Sequence, residues 1–146
     1  MNRDSAITLA KHAAAEKAGV FCYISAIAGA PVLPSRYIST KREAEGAIAE
    51  NFPEMRGVFI RPSFLYDNSR KITMGLAAAA GVSSTINNLT GGVFSGLMGA
   101  GGVKPLHVDT VAQAVVEALS NEGIKGPVEI GGIEELANKS WRKGML

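Results

Sequence analysis

Val20-Phe21-Cys22-Tyr23-Ile24 is an unbroken apolar run. A strand with one wet face alternates apolar with polar positions. A strand covered on both faces does not alternate, so this run predicts a parallel strand buried inside a sheet. Upstream, Asp4 to Lys17 predicts an Ala-rich helix, with Ile7, Leu9, Ala10, Ala13 and Ala14 available for a buried face. Asn2 or Asp4 suits its start, and Gly19 stands where a left-handed C-terminal residue belongs. Downstream come a small-residue loop from Ser25 to Pro31, a second helix from about Ser35 to Asn51 ended by Pro53, and a second buried strand, Gly57-Val58-Phe59-Ile60. Helix, strand, helix, strand predicts an α/β fold with a parallel sheet covered by helices.

After Arg61-Pro62 the character changes. Ile72 to Gly102 is poor in charge and rich in Gly, Ala, Ser and Thr. It reads as a helix followed by a surface loop, or as an apolar, adaptable surface for a lipid-like ligand, a membrane or a partner. Pro105-Leu106-His107-Val108 predicts a short strand. Asp109 or Thr110 then caps a helix, Thr110-x-x-Gln113 fits a capping box, and Val111, Ala112, Val115, Val116 and Leu119 supply the apolar face. Val128-Glu129-Ile130 predicts a last strand, and Ile133 to about Trp141 a last helix.

A length of 146 residues suits one domain with its own core, and 47% hydrophobic against 19% charged residues points to a globular chain, not a disordered one. The net charge of +2 is too small to suggest nucleic acid or an acidic membrane. The lone cysteine, Cys22, excludes an intramolecular disulfide and points to a reducing compartment; within its apolar run it reads as a small buried hydrophobe. The start lacks a signal-peptide pattern, no apolar window is long enough to span a bilayer, and no metal-ligand spacing is present.

Tyr37 and Lys41 lie one helical turn apart on the second predicted helix, so their side chains share a face. An ammonium beside a phenol favours the phenolate and makes the tyrosine a better proton donor near working pH. The competing reading is an ordinary half-buried tyrosine beside a solvated lysine. His107 reads as a packed histidine and Asp109 as a helix cap. Arg61 could clamp a phosphate or pair with a carboxylate inside the fold.

The order of these features resembles the C-terminal part of the extended and atypical short-chain dehydrogenase/reductase superfamily. The strand ends in Ser25, Tyr37-x-x-x-Lys41 follows on a helix, then come Arg61-Pro62-Ser63 after a strand and Pro105-Leu106-His107-Val108-Asp109. Ser25-Ala26-Ile27-Ala28-Gly29 is similar to the atypical branch, which holds the NAD(P)-binding subunit of mitochondrial complex I and a mitochondrial protein of coenzyme Q biosynthesis. Gly126-Pro127-Val128-Glu129-Ile130 and Ile133-Glu134-Glu135-Leu136-Ala137 resemble the coenzyme Q group. The resemblance implies Tyr37 as general acid/base, Lys41 as its partner and the ligand of the nicotinamide ribose, and Ser25 as the third catalytic group, with Ala26 the alternative position. It implies Pro62 and Ser63 beside the nicotinamide, and a largely structural part for His107 and Asp109.

The fold expected on this basis is α/β, a partial Rossmann-like doubly wound parallel sheet. It forms a single domain over 1–146, with 1–67 the Rossmann-like part and 68–146 the substrate-side segment. No Gly-x-Gly-x-x-Gly turn precedes the Tyr37–Lys41 pair, so the N-terminal dinucleotide-binding half is expected to be lacking, through gene-model truncation, a short isoform or a genuine fragment. NAD or NADP is then the cofactor of the full-length family, and none is expected on this chain alone. A sheet so shortened exposes an edge and an apolar helix face, and predicts a marginal, oligomeric or aggregation-prone chain. The resemblance further implies a mitochondrial location at the matrix side of the inner membrane, membership of the coenzyme Q synthetic complex and association with the inner-membrane surface. Two alternatives stand beside it: an active NAD(P)-dependent reductase, epimerase or dehydratase, and a structural subunit of the complex I type.

Overall fold

The computed structural model describes residues 2–28, 35–67 and 105–143. The elements run α1 (Asn2–Ala15), β1 (Val20–Ile24), α2 (Ser35–Asn51), β2 (Arg56–Ile60), β3 (Leu65–Tyr66), β4 (Leu106–His107), α3 (Val108–Ser120), β5 (Gly126–Val128) and α4 (Ile130–Lys143). The expected α/β architecture is present. Strands β1, β2 and β5 form a parallel sheet in that spatial order, with Val20 to Ile24 opposite Arg56 to Ile60 and Val58 to Ile60 opposite Gly126 to Val128. The short strands β3 and β4 form a separate parallel pair. Strands from 1–67 and from 68–146 therefore share one sheet. The segment Ile72 to Gly102, with its two readings, lies outside the described residues.

The alternation of side chains along each strand divides the core in two. Val20, Cys22, Val58, Ile60 and Val128 face α3 and α4, packing with Val111, Ala114, Ala118, Ile133 and Leu136. Phe21, Tyr23 and Phe59 face the other way, onto Ala6 and Ala10 of α1 and Ala44 and Ile48 of α2. Helices thus cover both sheet faces, which is why neither apolar run alternates with polar residues. On β2, Gly57 lies under the Phe59 ring: a Cβ there would come within 2.9 Å of the ring's Cζ. At the start of β2, the Arg56 guanidinium donates to the carbonyls of Ala118 (2.9 Å), Leu119 (2.9 Å) and Ile124 (2.6 Å), so it supplies donors to the last turn of α3.

The structure changes several expectations. Among the described residues β1 is an edge strand, half-buried along its length and exposed at Ile24, whereas β2 is the buried central strand. The left-handed residue after α1 is Lys17 (φ 57), not Gly19. Helix α1 packs through its alanines, which allow close approach to α2, and Leu9 points outward. Helix α3 starts one residue before Asp109, capped by His107, whose Nδ1 accepts the Asp109 N–H (3.2 Å); the Thr110 capping box does not form. Its buried face runs through Val111, Ala114 and Ala118, leaving Ala112, Val116 and Leu119 exposed. The last strand ends at Val128, and the last helix begins at Ile130.

Candidate functional site

In parallel α/β sheets, ligands collect beyond the carboxyl ends of the strands. Here β1 ends at Ile24-Ser25, β2 at Ile60-Arg61 and β5 at Val128-Glu129. The three exits are tied together by backbone hydrogen bonds, Ser25 N to Ile60 O (2.7 Å), Arg61 N to Val128 O (2.8 Å) and Ile27 N to Pro62 O (3.0 Å). Helix α2 passes above them and presents Tyr37, Lys41 and Glu45 at successive turns of one face. All the residues expected at the site, Ser25, Tyr37, Lys41, Pro62 and Ser63, therefore lie at this end of the sheet or on the helix above it.

They fall into two groups. In the first, the Lys41 ammonium donates to the Ile24 carbonyl (2.9 Å) and stands 4.6 Å from the centroid of the Tyr23 ring and 5.7 Å from that of Tyr37. The positive charge thus sits against two aromatic rings. Burial lowers the Lys41 pKa, and the charge of Glu45 works in the opposite direction. Burial raises the Tyr23 phenol, with further upward contributions from Tyr37 and Glu45. The Tyr23 hydroxyl is buried and has no hydrogen-bond partner among the described residues.

The second group centres on Glu45, which the sequence reading missed. Its carboxylate is buried at 5% exposure. Arg42 Nη1 donates to Oε1 (2.5 Å), and Arg61 binds both oxygens, Nε at 3.2 Å to each and Nη2 at 2.5 Å to Oε2. Ser25 joins this group: its hydroxyl accepts from Arg42 (3.2 Å) and also hydrogen-bonds Glu45. Arg42 reaches the Ala26 carbonyl (2.8 Å), and Arg61 extends to Glu129 (3.2 Å). Burial pushes the Glu45 carboxyl up, but hydrogen bonds from Arg61 and Ser25 and the charges of Arg42 and Arg61 outweigh it and hold the group below its ordinary value. Of the two readings of Arg61, pairing inside the fold is the one realised.

Glu45 spends its lone pairs on two guanidiniums, and both guanidiniums are committed to the chain itself. Lys41 is anchored on the strand end, and the Ser25 hydroxyl is turned toward Arg42 and Glu45. His107 contacts the Tyr66 ring edge-on at 5.1 Å and serves as a helix cap, in keeping with a structural part. Cys22 is half-buried, and burial raises its thiol pKa. Among the described residues no cluster of His, Cys, Asp and Glu is suited to a metal ion, and no helix is long and apolar enough to cross a membrane. A mostly apolar cavity of about 420 Å³ opens at the opposite end of the sheet, between Ala14–Gly19 and Asn51–Met55, away from all these groups. Glu45 had one signal in the sequence, its position a turn after Lys41 on the face of Tyr37; Tyr23 had none beyond its strand.

No family model matches the chain. Among curated proteins, the chain is similar to MIOREX complex component 2 of Saccharomyces cerevisiae, 44% identical over 50 residues, which are 34% of this chain and 18% of that protein. The match thus spans about a fifth of the relative's length. These findings correct the assignment to the short-chain dehydrogenase/reductase superfamily: no family model is matched, and the yeast relative is described as a component of a complex.

Proposed function

We propose that this chain acts as a component of a mitochondrial protein assembly, and that the carboxyl end of its sheet is used to hold the fold together, not to carry out a reaction. The observation carrying this reading is the 44% identity over 50 residues with MIOREX complex component 2 of yeast. The site geometry supports it, since Ser25, Arg42, Glu45 and Arg61 satisfy one another and Lys41 is spent on the Ile24 carbonyl. The sheet is read as part of a Rossmann-like arrangement, supported by its parallel strands and its helices on both faces. The test is to tag the chain in its native cell, fractionate organelles and identify the proteins that purify with it in stoichiometric amount. Recovery in mitochondria with a constant set of partners is expected. Recovery as a free chain, or outside mitochondria, contradicts the reading. The identity of those partners also decides the narrower expectations, membership of a coenzyme Q synthetic complex and contact with the inner-membrane surface.

A second reading rests on the buried, unpartnered Tyr23 hydroxyl beside Lys41 and Tyr37. An unsatisfied buried hydroxyl is costly, and a ligand oxygen reaching it would relieve that cost. In this reading Tyr37, Lys41, Ser25, Pro62 and Ser63 border a site for a small polar ligand. Replacing Tyr23 by Phe removes the hydroxyl and keeps the ring. Loss of ligand-induced thermal stabilisation in that variant supports the second reading, and a more stable protein with no ligand response supports the first.

A further inference from the structure

The cavity of about 420 Å³ at the amino end of the sheet lies where two helices finish. Ala14 and Ala18 line it from the α1 side, Phe52 and Met55 from the segment after α2. Its wall is mostly apolar, and its size falls in the range of small-molecule sites, about 300–1,000 Å³. Two residues of opposite charge also line it, Lys17 and Glu54. Both are exposed and so stand at its rim. Among the described residues neither side chain forms an ion pair, with the other or with a third group. Lys17 has a left-handed backbone (φ 57) and closes α1, its N–H donating to Ala14 O (3.0 Å) while the Ala18 N–H reaches Ala13 O (2.9 Å). Glycine is the usual residue at such a position. A lysine there sets an ammonium group beside the cavity against a backbone strain, and strain of this kind concentrates at ligand sites. At the end of α2, Pro53 has no N–H to give the Ala49 carbonyl one turn back, so this helix end keeps an acceptor as well as its negative dipole end.

We infer that this cavity takes a free α-amino acid with a large apolar side chain, held as its zwitterion. The apolar body enters between Ala14, Ala18, Phe52 and Met55, where removal of its surface from water supplies the attraction. The ammonium end points to Glu54 and the carbonyl end of α2, both negative. The carboxylate end points to the Lys17 ammonium. A ligand with a single charge fits less well: an anion meets Glu54 and the helix end unopposed, and a cation meets Lys17. Two unpaired charges of opposite sign beside an apolar wall match the two ends and the body of one zwitterion. Leucine, methionine and phenylalanine have side chains that fill such a space, whereas glycine has none. The inference goes beyond the proposed assembly role, does not depend on it, and concerns the end of the sheet opposite Tyr37 and Lys41.

The purified full chain is titrated with L-leucine, L-methionine and L-phenylalanine, and binding is read by calorimetry and by the rise of the thermal midpoint. Saturable binding of at least one of them at millimolar or lower concentration is expected, and none of glycine. The N-acetyl amide of the same amino acid keeps the side chain and loses both charges, and should bind about tenfold more weakly. Glu54→Gln and Lys17→Gln, both at exposed positions, should keep the circular dichroism of the wild type and each raise the dissociation constant by about fivefold, the upper end for a solvent-accessible ion pair. Absence of saturable binding by all three amino acids overturns the inference. Equal binding of the N-acetyl amide overturns it by making an apolar peptide segment, not a zwitterion, the occupant. Binding that either variant leaves unchanged overturns it by placing the ligand elsewhere.

Discussion

Replacing Glu45 by Gln probes the buried ion network with little change in volume. In the native chain its carboxylate neutralises Arg61 through a bidentate contact and Arg42 through a third bond, and it lies at 5% exposure. Glutamine keeps one acceptor oxygen but brings two N–H donors toward guanidiniums that have none to accept them. Removing one partner of a fully buried pair costs about 3–5 kcal/mol, because the remaining charge is left without its counterion. The side chains of Arg61 and Arg42 are 17% and 27% exposed, so water recovers part of that cost. A loss of about 3 kcal/mol is expected, at the low end of the range for buried pairs. For a domain of this size that lowers the thermal midpoint by roughly 6–12 °C. The sign with pH follows from the direction of the shift. Glu45 is held below its reference value of 4.5, so the folded state binds this proton less readily than the unfolded state. Its stabilisation is fully present above pH 4.5 and is lost as pH falls through the depressed folded value. Urea unfolding of wild type and Glu45→Gln from neutral to acid pH should give curves that converge as the acid is increased. Equal stability at neutral pH, or a gap that widens toward acid, would refute the reasoning.

Other perturbations have equally definite outcomes. Gly57→Ala places a methyl against the Phe59 ring and should cost about 1–3 kcal/mol in urea denaturation, the range for overpacking a filled core. Arg56→Ala strips the donors from the last turn of α3 and should cost about 1.5–3 kcal/mol, with hydrogen exchange accelerated first at the C-terminal end of that helix. Calorimetric titration of the chain with NADH and NADPH should give no micromolar binding; micromolar affinity for either would contradict the expectation that this chain alone holds no dinucleotide.

The apolar runs at β1 and β2 and the helices between and around them were readable because a two-sided burial pattern and breakers such as Pro53 are local properties. Which strand was central was not readable, since Val20–Ile24 and Gly57–Ile60 are equally apolar and only pairing order makes one an edge. The face of α3 was misassigned because Val111, Val115, Val116 and Leu119 spread apolar residues around more of the helix than the core contacts. The small residues Ala114 and Ala118, easily passed over, decide how closely it packs. At the site, Tyr37 and Lys41 were found by their spacing, and the structure does bring them together. The neighbouring Glu45 network was not found, because its contacts with Arg61 and Ser25 cross from helix to strand ends, and its helical spacing after Lys41 alone does not show them. The family resemblance rested on motif order, and motif order is shared by many parallel α/β chains.

The most direct test of an assembly role without chemistry at the Tyr37–Lys41 pair is native-size fractionation of mitochondrial extracts containing either the wild-type chain or Tyr37→Phe. Both should migrate together in the same large particle, with the same partners in the same proportions. Migration of the wild type as a free chain, or loss of the biological output with Tyr37→Phe while the particle stays intact, would contradict the account.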